Sequence, residues 1–261
     1  MRKFLTVLCA ALFFSTGAFA QEEDEEEEEG GFSINAGTDL SSAYLWRGNL
    51  LLKGANFQPY LDLNAGNFTL EFWNCTDFHG DLKEFDISAM FTAGQFTFTL
   101  TDYFTQDSTR HTLGTDYNPR YGDYHAATTG HAFEFSVDWE SSFGLDASMN
   151  FLFYGADKKW WLDESDPDYN KNAYGTYFEL GYTADIKGVD FRPCVGMVFN
   201  ASTWYGDGTG THDGFNVVNI GIQATKKIKI TDKFSLPVYA IFGYNPQADN
   251  VAACVGFKIG F

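Results

Sequence analysis

From Phe32 onward the chain alternates apolar and polar residues with a period of two. Phe68, Leu70 and Phe72 are separated by Thr69 and Glu71, and Phe96, Phe98 and Leu100 by Thr97 and Thr99. Phe133, Phe135, Val137 and Trp139 enclose Glu134, Ser136 and Asp138, and the run from Phe143 to Phe153 encloses Asp146, Ser148 and Asn150. A period of two belongs to a strand with two unlike faces. The pattern predicts twelve strands, near 32–40, 57–65, 68–72, 85–92, 96–101, 133–139, 143–153, 178–185, 191–200, 218–225, 234–242 and 251–261. The weakest is 57–65, where Pro59 removes a ladder donor.

Short and long connections alternate without exception. The short ones, at 64–67, 93–95, 141–142, 187–188 and 231–232, are mostly Asn, Gly, Ser, Thr and Asp, the residues of tight hairpin turns. The long ones cover 46–56, 76–83, 106–130, 156–172, 201–214 and 245–249. This plan predicts an all-β, closed antiparallel transmembrane β-barrel of about twelve strands. It has short periplasmic turns and long extracellular loops. Closure is obligatory because lipid offers a free sheet edge no hydrogen-bond partner. Aromatic residues gather at both strand ends, as interface girdles require: Phe32, Phe68, Phe96, Trp139 and Phe143 on the turn side, and Tyr44, Trp46, Phe57, Tyr154 and Trp204 on the loop side. A water-soluble β-sandwich also alternates, but its Phe-rich face would turn inward.

Composition narrows the class. Aromatics make up 18% of the chain, yet mean hydropathy is only −0.24. A helical membrane protein needs about 20 consecutive apolar residues per span, and an acidic disordered chain lacks aromatics. With 17 basic and 35 acidic residues the formal charge is −18, opposite to a general nucleic-acid binder. Residues 1–20 form a secretory signal: Arg2 and Lys3, an apolar run from Phe4, and Ala18-Phe19-Ala20 as cleavage site. Residues 21–31 form an acidic, disordered spacer built on the acids Glu22 to Glu29. The barrel is assigned 32–261, in the outer membrane of a Gram-negative bacterium. Its partners are membrane lipid and, through a terminal aromatic at Phe261, the barrel-assembly machinery. The oligomeric state is left open.

With the Phe face outward, the opposite face gives a candidate pore lining: Asp39, Asp62, Glu71, Asp86, Glu134, Asp138, Asp146, Glu179, Asp185, Arg192, Lys227 and Lys258, with Glu140, Asp190 and Lys229 in the same phase. Acids dominate, so an open lumen is expected to favour cations. Twelve strands lie between filled eight-stranded barrels and aqueous larger porins, so a narrow pore and a packed interior both remain open. The function expected is passive diffusion of small cationic or neutral solutes; the alternative is a non-conducting barrel acting through its loops as receptor, adhesin or scaffold.

No catalytic, cofactor-binding or metal site is expected. After loss of Cys9 the cysteines are Cys75, Cys194 and Cys254, an odd number without CxxC spacing. Of the five histidines, His131 comes nearest to a base beside an outward-facing strand. The 106–130 loop, with Asp107, Arg110, His111, Arg120 and His125, is either an inward constriction or a surface loop. The 156–172 loop holds Asp163, Glu164, Asp166, Asp168 and Asn170, a poor match to a calcium loop because Lys171 and Tyr177 replace its glycine and last acid. The 206–210 stretch has no phosphate-loop context.

The segment Ser41-Ser42-Ala43-Tyr44-Leu45-Trp46-Arg47-Gly48, followed by Gln58-Pro59, resembles the opening of the TorF-like porin family. Glu71-Phe72-Trp73 and Thr101-Asp102-Tyr103-Phe104 sit where that family carries similar short segments. The resemblance covers the first three hairpins and implies an outer-membrane porin-like protein without naming a solute. Within it, Arg47 is either a pore-mouth residue or a loop anchor paired with an acid.

Overall fold

The computed structural model describes residues 31–80, 82–107, 119–159, 165–200, 202–205, 214–232 and 234–260. The signal segment 1–20, the acids 22–29, Arg110, His111, Asp163, Glu164, the 206–210 stretch and Phe261 lie outside them.

The described strands are β1 (Phe32–Ser41), β2 (Tyr44–Trp46), β3 (Asn49–Leu52), β4 (Asn56–Ala65), β5 (Phe68–Asp77), β6 (Leu82–Ala93), β7 (Phe96–Asp107), β8 (His131–Glu140), β9 (Leu145–Gly155), β10 (Thr176–Tyr182), β11 (Ala184–Asp185), β12 (Asp190–Val198), β13 (Asn216–Lys229), β14 (Ser235–Asn245) and β15 (Asn250–Gly260). Neighbouring strands pair antiparallel, and β1 joins β15 through Gly37↔Gly260 to Ser41↔Gly256. β10 and β11 both pair with β12 and form one lane interrupted at Thr183. The wall is therefore a closed twelve-stranded barrel, with β2 and β3 as a separate two-stranded sheet. Pro59 does not shorten β4. It faces Thr38 on β1, while the ladder to β5 skips from Phe57↔Thr76 to Tyr60↔Trp73.

The alternation resolves into an apolar outside and a polar inside. On β9, Met149, Phe151 and Phe153 are exposed while Asn150 and Leu152 between them, and Asp146 near the strand start, are buried. Phe91, Phe98, Leu100, Phe135, Ile220, Phe242 and Val255 continue the exposed belt around the wall. Glu71, Asp86, Glu134 and Glu179 are buried on the other face. This excludes the β-sandwich, in which the Phe face would be the core. A contiguous apolar belt on a closed barrel has lipid as its natural solvent.

Leu100 tests this directly. It stands mid-strand, 46% exposed, between Ala89 and Phe135 on the neighbouring strands. Leu100→Arg is expected to cost about 2–4 kcal/mol in a urea titration of vesicle-folded protein. A change below about 0.5 kcal/mol, normal for a water-facing position, would contradict lipid exposure.

Candidate functional site

The chain leaves the wall directly after β1. Ser41 Oγ donates to Ala43 O (2.8 Å) and lies 3.0 Å from Asn56 Oδ1, while Ser42 is tied to Val255 by Ser42 N donating to Val255 O (2.9 Å) and Val255 N donating to the Ser42 side-chain Oγ (3.0 Å). These bonds turn residues 43–52 into the barrel as the β2–β3 hairpin. Trp46 pairs with Asn49, so Arg47-Gly48 is a two-residue turn, and both have positive φ (48° and 82°). That is the signature of a type I′ turn. The tip is pressed against the wall: a Cβ on Gly48 would lie 2.0 Å from Val218 O. Tyr44, Leu45, Trp46 and Arg47 are all buried. The 46–56 region read as a loop thus contains a hairpin folded into the lumen, and Tyr44 and Trp46 belong to the interior rather than to an interface girdle.

Arg47 reaches the opposite wall. Its Nη1 donates to Glu134 Oε2 (2.5 Å) and Nη2 to Glu134 Oε1 (2.8 Å), a bidentate pair. Nη1 also donates to Tyr205 Oη (2.8 Å) and Nη2 to Asn150 Oδ1 (2.6 Å). Glu134 accepts further bonds from Tyr103 Oη (2.9 Å) and Ser136 Oγ (3.0 Å). Of the two roles open for Arg47, the geometry is that of the anchor. Its guanidinium lies 4.6 Å from the Trp46 ring centre and 4.9 Å from that of Tyr177, within cation–π range.

Aromatic rings fill the space around this anchor. Trp46 stacks on Tyr205 (5.5 Å, 13°), and Tyr205 stacks on Tyr177 (5.5 Å, 6°). Trp204 meets Trp46 and Tyr103 at 5.7 and 5.6 Å, which removes Trp204 too from the expected girdle. The turn carrying Trp204 and Tyr205 is held by Asp157, whose carboxylate accepts from Ser202 Oγ (2.5 Å) and Gly175 N (2.6 Å). Burial pushes the Asp157 carboxyl up to about 6, against those two bonds and Lys158.

A second guanidinium sits at another level. Arg192 Nη2 donates to Asp146 Oδ1 (2.5 Å) and Glu179 Oε1 (2.9 Å), and Nε donates to Asp146 Oδ2 (3.1 Å). Glu179 also accepts from Tyr177 Oη (2.5 Å) and Asn219 Nδ2 (3.1 Å). Gly181 makes room: a Cβ there would meet Arg192 Nη2 at 2.5 Å. Lys258 lies 3.6 Å from Asp39 and 5.8 Å from the Tyr60 ring centre. Asp62, Glu71 and Asp86 are buried on the β4–β6 wall, where Asp86 Oδ1 accepts from Phe104 N (3.3 Å) and Oδ2 has no hydrogen-bond partner.

Of the twelve predicted lining residues, Asp62, Glu71, Asp86, Glu134, Asp146, Glu179, Arg192 and Lys258 lie buried on the inner face, and Asp39 and Asp138 are half-buried there. Asp185 and Lys227 are exposed near the short turns. Sequence reasoning missed Glu84, Asn150, Tyr103, Tyr177, Asn219 and Tyr205. The first five lie on the inner face of a strand, and extending β6 two residues beyond Asp86 reaches Glu84. Tyr205 is in a loop and carried no periodic signal.

The described part of the long 106–130 loop lies against the outer flank. Tyr124 stacks on His131 (4.2 Å, 24°), whose Nδ1 is 2.7 Å from Asp102 Oδ1 and whose Nε2 is 2.6 Å from Tyr121 O. Both ring nitrogens are thereby engaged. In the 156–172 loop, Asp168 pairs with Lys171 (3.5 Å) and Lys159 (4.0 Å). Among the described residues no group of three or more His, Cys, Asp or Glu has a metal-holding arrangement, and Cys75, Cys194 and Cys254 are free thiols.

The fold and its lumen define a transmembrane β-barrel with an internally plugged interior. Among solved structures, the chain is similar to a KdgM porin described as in complex with disordered oligogalacturonate, with 9% identity and a TM-score of 0.42 over 87% of this chain and 95% of that one. It is also similar to a mutant of the Rh. blastica porin, with 10% identity and a TM-score of 0.42 over 85% of this chain and 66% of that one. This chain thus spans about two thirds of the length of the latter porin. No family model matches the chain and no curated protein matches it.

Proposed function

We propose that the protein is an outer-membrane, porin-type channel for small cationic or neutral solutes, with the β2–β3 hairpin as its constriction. The observation that carries this is the inside-out barrel itself: an apolar belt outside, and inside a wall where Asp39, Asp62, Glu71, Glu84, Asp86, Glu134, Asp138, Asp146 and Glu179 outnumber Arg47, Arg192 and Lys258. Acidic rings in a low-dielectric duct concentrate cations and exclude anions. The secretory signal expected at residues 1–20 and the resemblance of residues 41–59 to the TorF-like porins support the location. Refolded protein in a planar bilayer under a salt gradient is expected to give small current steps with a cation-selective reversal potential. Anion selectivity would overturn the assignment of the lumen.

A second reading, a non-conducting barrel working through its loops, is favoured by the depth of the plug. Tyr177, Tyr205, Glu71 and Glu134 each keep less than 2% of their surface exposed, so water does not reach these side chains in this conformation. A variant lacking residues 43–53 separates the two readings. On the channel reading both conduct, the variant more than the intact chain; on the scaffold reading the intact chain is silent and current appears only once the hairpin is removed.

A further inference from the structure

The outer flank of the barrel carries a basic groove that the channel does not use. It has a volume of about 510 Å³ and is lined by Lys158, Lys159, Asn170, Lys171, Asn172 and Tyr174 beside residues 126–127. Its height follows from two contacts. Tyr174 stacks on the lipid-facing Phe151 (6.3 Å, 11°), and Tyr154 Oη donates to Tyr124 O (2.6 Å). The groove therefore begins where the apolar belt ends, at the level of lipid headgroups.

Its charge runs against the rest of the molecule. Three of the 17 basic residues meet here on a chain whose formal charge is −18. Lys158 is nearly buried and fixed by uncharged acceptors: its Nζ donates to Ala126 O (2.8 Å) and Asn172 Oδ1 (2.9 Å). An ammonium has three donors, so one N–H remains for a ligand. Lys159 and Lys171 lie 4.0 and 3.5 Å from the same Asp168 Oδ1. These two ammonium groups thus already converge on one anionic oxygen, and both are exposed side chains able to follow a larger anion, while Lys158 is a fixed donor beside them. Asp168 is the acid that an incoming anion would replace between Lys159 and Lys171, while Asp157 is turned toward Ser202 and Gly175 and Asp166 toward the Asp168 amide.

We propose that this groove binds the phosphate of a phosphorylated glycolipid headgroup in the outer leaflet. The inference rests on the membrane-spanning reading of the barrel and is independent of conduction. Compact ammonium charges suit a phosphate ester. The Phe151–Tyr174 contact and the position above the belt favour a phosphate carried by a lipid over one free in solution.

The test uses the refolded full chain in a neutral detergent, mixed with bisphosphorylated lipid A, with the same lipid stripped of its phosphates, or with inorganic phosphate as competitor. Retained lipid is counted by native mass spectrometry. One bisphosphorylated lipid should be retained per barrel, at least about tenfold more tightly than the dephosphorylated form. Lys159→Ala/Lys171→Ala should erase that preference while leaving the heat-dependent electrophoretic shift of the folded barrel intact. Both side chains are well exposed, at 41% and 60%, so folding should not suffer. Equal retention of both lipids, or an unchanged double variant, would overturn the proposal. Displacement of lipid A by an equal concentration of inorganic phosphate would overturn its lipid assignment. A failure of the membrane reading would appear separately, as a neutral Leu100→Arg.

Discussion

Arg47→Ala is expected to undock the hairpin and expose the lumen. The substitution removes both bonds to Glu134 and those to Tyr205 and Asn150. Glu134 is then left with hydroxyl donors from Tyr103 and Ser136 against a buried negative charge. Removing one partner of a buried pair costs about 3–5 kcal/mol, several times the worth of any single ring stack in the plug. The loss is comparable to what the three ring contacts of Trp46, with Tyr205, Trp204 and Tyr103, supply together, so docking of the hairpin is no longer secured. Cys75 provides a native reporter: its thiol is fully buried in the same cluster as Tyr44 and Trp46. Its labelling by a charged, water-soluble thiol reagent should speed up at least about tenfold in Arg47→Ala, read by peptide mass mapping. Arg47→Lys should label almost as fast, because an ammonium cannot make the bidentate pair. Arg47→Met combined with Glu134→Gln should be milder than Arg47→Ala alone, since no charge is stranded. Wild-type labelling rates in Arg47→Ala would contradict the anchor.

Arg192→Met is expected to destabilise the barrel strongly from inside the lumen. Asp146 and Glu179 would both lose their cation while remaining buried at the same level of the lumen. The loss is put at about 3–5 kcal/mol or more, seen as a lower urea midpoint for vesicle-folded protein. Adding Asp146→Asn and Glu179→Gln should restore most of it, because neutral amides carry far less desolvation cost than stranded carboxylates. A midpoint unchanged by Arg192→Met would mean that water or ions screen this level, and hence that the lumen is wetter than its burial implies.

The wall was legible in the sequence because lipid and lumen impose opposite polarities on successive residues. Phe135 and Glu134 differ by one position and by solvent, and that contrast recurs along most strands of the wall. Strand ends were less legible: β5 and β7 run past the last alternating residues to Asp77 and Asp107, where an aqueous surround relaxes the demand on the outer face. The hairpin escaped because it has no two-faced environment. Tyr44, Leu45 and Trp46 are buried together, so consecutive apolar residues replace the alternation. The local cue was Arg47-Gly48 between Trp46 and Asn49, a two-residue turn whose first position is an unusual Arg with positive φ. Phase alone gave the inner face of the acids. It could not give the pairing of Arg47 with Glu134, 87 residues away, nor of Arg192 with Asp146, 46 away. Nor could it separate Asp185 and Lys227, exposed at the turn end, from the enclosed residues above them.

The most direct test of the account compares single-channel currents of the intact chain with those of a variant lacking residues 43–53, both refolded and held in planar bilayers under the same salt gradient. The account predicts small, infrequent steps from the intact chain, steps several-fold larger from the variant, and a cation-selective reversal potential in both. Equal currents from the two proteins would remove the hairpin as the constriction, and silence from the intact chain, with the barrel folded, would contradict the channel itself.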